Sequence, residues 1–253
     1  MAKIEIPKNE AEFGEFVLGV VKTLVALAQA KDPFIKKHSE RVANNCANFC
    51  EEFKMVGTED IETVYFAGLL HDIGMVAIPQ DLLKRSDSLT DEEMVLIKKH
   101  PVSGEEILGN LNYLKDVLPM VRHHHEAMDG SGYPDGLKKE DIPLVARVLG
   151  LFNYLDNLLF PRSPKTAMSI EDALVDINDK AGQQFDPDLL QNFIVFVESN
   201  SGKSPDYLEK KQINTMRTLF AEILSKFKSG QINPPVMPQV CLLYTSPSPR
   251  DLV

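Results

Sequence analysis

The chain has 253 residues, 43% of them hydrophobic, and a formal net charge of -10. That length and apolar content suit one large or two small domains around a sizeable core. Lys+Arg 27 against Asp+Glu 37 excludes non-specific binding to DNA or to an anionic membrane surface, which needs clustered basic residues.

The N-terminal stretch, Met1 to Ala11, carries Lys3, Glu5, Lys8 and Glu10 and lacks the layout of a signal peptide. From residue 11 the periodicity is helical. Phe13, Phe16, Val17, Val20, Val21, Leu24, Leu27 and Ala28 predict a helix over 11–30, which Asp32-Pro33 ends or restarts. No stretch approaches ~18 uninterrupted apolar residues, so no membrane span is expected. A second helix is predicted over 34–53, with Ile35, His38, Val42, Asn45, Phe49 and Phe53 on one stripe. A third, over 59–72, aligns Ile61, Tyr65, Gly68 and Asp72, and Gly74 is placed to stop it. Thr90-Asp91-Glu92-Glu93 is a capping-box signature for a helix that Pro101 interrupts. Further helices are predicted over 111–127, 143–160, 169–181, 186–199 and 205–228, with a loop over Asp129 to Gly136. No alternating β pattern of useful length occurs, so the fold class is all-α.

Residues 233–253 carry five prolines and two serines without periodicity. The expectation is one domain over 1–230 followed by a disordered Pro/Ser-rich tail over 231–253. The stretch from Cys241 to Val253 reads more like a read-through product than a natural terminus. Cys46, Cys50 and Cys241 are too few and badly placed for a disulfide framework, which points to a reducing cytoplasm. Cys46 and Cys50 are read as small buried apolar residues.

All six histidines fall between His38 and His125, with none in the 128 residues that follow. His38 points inward with the apolar stripe, and Asp72 lies on the buried side of its helix. One inward histidine is ordinarily a core residue. An inward aspartate is harder to explain, because a buried carboxylate costs several kcal/mol unless it is paired or metal-bound. With His71, His100, His124 and His125 the residues form a nitrogen and oxygen ligand set without thiolate. That set favours iron, manganese or another hard divalent metal. Two such ions ~3.5–4 Å apart share a bridging hydroxide and a bridging carboxylate, for which Asp72 is the candidate. The chemistry this suggests is metal-dependent phosphoester hydrolysis.

The order His38…His71-Asp72…His100-Pro101…His124-His125-Glu126, followed by Asp129-Gly130-Ser131-Gly132-Tyr133-Pro134, resembles the HD-GYP subgroup of the HD superfamily. Lys37 to Val42, Leu69 to Gly74, Ile78-Pro79 and Ile142 to Leu149 support the likeness, which spans about 20–198. The resemblance implies an HD-domain-like helical bundle and a bacterial cyclic di-GMP phosphodiesterase giving the linear dinucleotide or GMP. It implies His38, His71, Asp72, His100, His124 and His125 as ligands of two metal ions, iron or manganese. His123 is read as a solvent-facing neighbour. The glycines of the Gly-Tyr-Pro loop permit close backbone approach to a ligand, so Gly132, Tyr133 and Pro134 are expected at the cyclic dinucleotide. Arg162 and Lys165 match positions that contact substrate phosphate. A signalling protein partner through that loop also fits the family.

Three departures stand out. Asn153 occupies the place of an aspartate ligand; its neutral amide oxygen can still coordinate, more weakly. Asp156 lies on the same helix face and is a candidate to compensate, although the family has an aspartate there too. Met75 replaces a lysine near the substrate phosphate, and Phe34 stands where trinuclear members carry a glutamate. A catalytically impaired signalling module, binding dinucleotide or a protein, and a phosphohydrolase for another nucleotide are therefore the competing readings.

Overall fold

A computed structural model describes residues 10–83, 85, 89–162 and 166–200. The predicted helix over 205–228, the tail, Cys241 and Lys165 lie outside the described residues. Among the described residues there is no strand, only an isolated bridge between Ala181 and Phe185. The helices are α1 (Glu10–Lys31), α2 (Pro33–Glu52), α3 (Ile61–Leu70), α4 (Gln80–Leu83), α5 (Asp91–Ile97), α6 (His100–Leu108), α7 (Leu118–His123), α8 (Leu144–Leu159), α9 (Ile170–Asn178) and α10 (Pro187–Asn200). The chain is thus an all-α bundle.

Asp32-Pro33 both ends α1 and starts α2. The Asp32 carboxylate caps the Phe34 N–H, and Pro33 opens α2 with its fixed φ. Helix α2 runs through the core against α1, α3 and α8. Val42, Phe49, Cys46 and Cys50 on it are fully buried. Burial pushes the Cys50 thiol up to about 12, so it behaves as a small apolar group. Phe49 meets Phe152 at 5.5 Å and Phe196 at 5.5 Å, tying α2 to α8 and α10. Each such ring contributes roughly 1.5–3 kcal/mol by leaving water.

Helix α1 carries the described segment long and apolar enough to cross a membrane, Phe13–Lys31 with mean hydropathy 1.5, although no uninterrupted apolar run announces it. In this fold its Val17, Val21, Val25 and Ala28 line the core, while Phe16 and Leu27 are exposed.

Three expectations change. Gly74 does not stop α3; it lies in a 3-10 turn, Ile73–Ala77, packed on α6. A Cβ there would stand 1.9 Å from the His100 carbonyl oxygen, so only glycine lets the His71-Asp72 turn dock on the start of α6. Pro101 opens α6 rather than breaking it, after the Thr90 capping box has begun α5 as predicted. The predicted helix over 111–127 is a 3-10 turn, Asn112–Leu114, followed by the short α7 with Pro119 in its first turn.

Candidate metal centre

Four separate elements deliver the ligand-type side chains. His38 comes from the first turns of α2, His71 and Asp72 from the turn ending α3, His100 from the start of α6, and His124 and His125 from the end of α7. The close α2–α3 pairing is set by Gly68, whose Cβ would stand 2.3 Å from the Ala43 Cα. Donor atoms of Asp72, His100, His124 and His125 lie within 4.8 Å of one another, and so do those of His38, His71 and Asp72. Asp72 belongs to both groups. Its Oδ1 is 3.2 Å from His100 Nε2, while its Oδ2 is 3.5 Å from His71 Nε2 and 3.7 Å from His38 Nε2. One carboxylate thus faces two histidine sets with different oxygens.

The tautomers follow from the partners. His71, His100 and His124 each place Nδ1 against a backbone carbonyl three residues back, at 2.7, 2.8 and 2.7 Å. A carbonyl only accepts, so Nδ1 carries the proton and Nε2 presents its lone pair inward. His38 Nε2 then faces His71 Nε2 at 3.2 Å, and His100 Nε2 faces His124 Nε2 at 3.3 Å. Facing lone pairs at that range repel unless a proton or cation stands between them.

The electrostatics fit a cation rather than protons. Burial holds His71 below its ordinary value and His124 well below it; in both, other imidazoles add to the lowering. Burial first and His100 second push His125 down to about 3. Burial alone would raise the Asp72 carboxyl, but His71, His100 and His38 outweigh it and keep it well below the usual carboxylate range. His71, His124 and His125, which resist protonation, beside a carboxylate held ionised are what a divalent ion requires of its ligands.

The Gly-Tyr-Pro loop is built on Glu126. Its carboxylate, on a side chain that is nearly buried, accepts the successive N–H groups of Asp135, Gly136 and Leu137 at 2.7, 3.1 and 3.0 Å. Gly132 lies against the backbone of the same residue; a Cβ there would come 2.5 Å from Glu126 Cα. The loop thereby lays Tyr133 on His125, rings stacked at 4.8 Å, with a cis bond to Pro134. Lys98 reaches to 5.3 Å from the Tyr133 ring centre.

His123 is not solvent-facing as expected. Its Nε2 meets Asp135 at 2.9 Å beside a two-pronged Arg122–Asp135 pair, so it fastens the loop. Glu126, Arg122 and Asp135 were missed from sequence. Glu126 follows the histidine pair directly, and Asp135 follows the Gly-Tyr-Pro triplet, but their partners are backbone amides and distant side chains.

Asn153 is 5% exposed and shares a cavity wall with His124 and His125. Its Oδ1 accepts from Asn157 Nδ2 at 2.8 Å. Asp156 does not substitute for it: both carboxylate oxygens face Arg41, and Oδ2 also meets His38 Nδ1 at 2.7 Å. Arg162 pairs with Asp32 at 2.6 Å and lies over the Phe34 ring, which stacks on His38. Met75 is 7% exposed and packs in the core.

Against known proteins, the HD domain family matches residues 22–189. A cyclic di-GMP phosphodiesterase of Thermotoga maritima is 31% identical over 185 residues, 72% of this chain and 50% of that protein. The cyclic di-GMP phosphodiesterase response regulator RpfG of Xanthomonas campestris pv. campestris is 36% identical over 171 residues, 66% of this chain and 45% of that one. The chain therefore spans half or less of these relatives' length. Among solved structures, a cyclic GMP-AMP specific phosphodiesterase of V. cholerae superposes with a TM-score of 0.56 at 20% identity, over 75% of this chain and 52% of its own. That likeness carries the fold.

Proposed function

The chain belongs to the HD domain family, HD-GYP type, and from that premise we propose that it hydrolyses cyclic di-GMP to the linear dinucleotide or GMP. The observation that carries this reading is Asp72, one carboxylate turned toward two histidine sets.

In this reading His38, His71 and Asp72 would hold one divalent ion, and Asp72, His100, His124 and His125 the second, with Asn153 as a weak further ligand. Iron or manganese bound there supplies an activated water and positive charge for phosphoryl oxygens. The protein's own contribution is orientation. Backbone carbonyls fix the Nδ1–H of His71, His100 and His124, and the Asp156 carboxylate fixes that of His38, which leaves Nε2 of these four rings free to ligate. Glu126 fixes the loop whose Gly132, Tyr133 and Pro134 border the substrate beside His125. Arg162, on the His38 side, would meet a phosphate by giving up its pair with Asp32, and Lys165 is assigned the same role from the family pattern alone. Residues 1–230 as one unit, action in the cytoplasm and a protein partner at the loop belong to the same proposal.

Asn153 and the uncharged Met75 favour a second reading, a module that binds dinucleotide with little turnover. The test is chromatography of products after incubating manganese- or iron-loaded protein with cyclic di-GMP. A linear product from wild type and none from Asp72→Ala supports hydrolysis; binding without product supports the second reading. Including 3'3'-cGAMP and a mononucleotide ester decides the substrate class, since the metal chemistry does not select the base.

A further inference from the structure

The ligand histidines differ in what holds their far nitrogen. His71, His100 and His124 each donate Nδ1–H to a neutral carbonyl. His38 donates instead to the Asp156 carboxylate on α8, at 2.7 Å. That carboxylate is 4% exposed and is gripped by Arg41, one turn after His38, through Nε at 2.6 Å and Nη2 at 2.8 Å. The Arg41 guanidinium is itself seated over the Phe160 ring at 4.1 Å. The anion can neither rotate away nor escape to water.

A carboxylate draws on an imidazole N–H more strongly than a carbonyl does, which makes the opposite nitrogen a better donor to a metal. Only the half-site of His38, His71 and Asp72 Oδ2 has such a partner among the hydrogen bonds described. His100 and His124 in the other half rest on carbonyls, and the nearby Asn153 adds a neutral amide in place of a charge.

We infer that Arg41 and Asp156 are positioning residues that make the His38–His71 half the tighter of two unequal metal positions. The ions load in order, and the His100–His124–His125 half surrenders its ion first. This rests on the metal-centre reading above and adds the rank of the two positions.

The test is titration of metal-free protein with Mn2+, following the free-ion electron paramagnetic resonance signal. Wild type is expected to bind in two steps separated by about tenfold or more. Asp156→Asn keeps an acceptor for His38 but not its charge. It should weaken the first step about 10- to 100-fold and leave the second unchanged, so that the steps merge. Arg41→Gln, at a partly exposed position, should weaken the first step by a smaller factor; it decides alone if Asp156→Asn shows no native circular dichroism. Two equal steps in wild type, or a first step unmoved in the folded variants, overturns the inference and leaves the metal centre standing. No Mn2+ binding by wild type overturns both.

Discussion

The Asn153 side-chain oxygen accepts a 2.8 Å hydrogen bond from Asn157 Nδ2, in a cavity that His124 and His125 also line. A neutral amide already engaged by a neighbour is a weak ligand for a hard cation. Asn153→Asp returns an anionic oxygen without changing volume. It should raise retention of the second ion during gel filtration and raise turnover of cyclic di-GMP at limiting metal by about tenfold. Metal content and turnover equal to wild type would mean that this position does not face an ion.

Glu126→Ala should loosen the loop rather than the centre. Three N–H groups lose their acceptor, and water can reach only some of them. The expected cost is about 1–3 kcal/mol, a drop of several degrees in Tm, with faster amide exchange over residues 130–137. Metal per chain should stay at the wild-type level. A loop whose exchange is unchanged would remove Glu126 as its anchor.

Gly132→Ala asks whether Tyr133 must lie on His125. The added Cβ would sit 2.3 Å from the Ala127 nitrogen, so the loop has to move. Turnover should fall by roughly 100-fold, as it does when a positioning group shifts by about an ångström, with metal content preserved. Full activity would show that the loop's seat is irrelevant to chemistry.

The pH dependence of stability follows from the imidazoles. His71, His124 and His125, the last at about 3, are harder to protonate in the fold than their ordinary value of 6.5. As pH falls below about 6.5 the unfolded chain takes up protons that the folded chain refuses, so stability falls with pH through that window. Asp72, held low, adds to the loss only once its unfolded form begins to protonate, near 3.8. Thermal melts of metal-free protein should give a clearly lower Tm at about pH 5.5 than at about pH 7.5. A flat profile would mean the histidines do not stand in the buried arrangement described.

Much of this was legible because helical periodicity and metal-ligand chemistry act locally. The stripe through His38, Val42 and Phe49 placed an imidazole inward, and Thr90 with Glu93 announced α5. The convergence of the histidines on Asp72 could be anticipated from residue types and order. What escaped was non-local or made by the backbone. Arg41 and Asp156 are 115 residues apart, and neither breaks a pattern. Glu126 serves amides, which leave no trace in side-chain identity. Gly74 looked like a helix stop because a glycine chosen for close approach and one chosen for positive φ are the same letter. Pro101 and Pro119 were readable as first-turn residues; the apolar periodicity running past them masked it.

Counting metal per chain in anaerobically purified wild type and in Asp72→Ala tests the shared carboxylate most directly. The account predicts about two iron or manganese ions per wild-type chain at saturation, and one or fewer once the bridging group is gone. Equal metal content in the two proteins, or none in wild type, would contradict it.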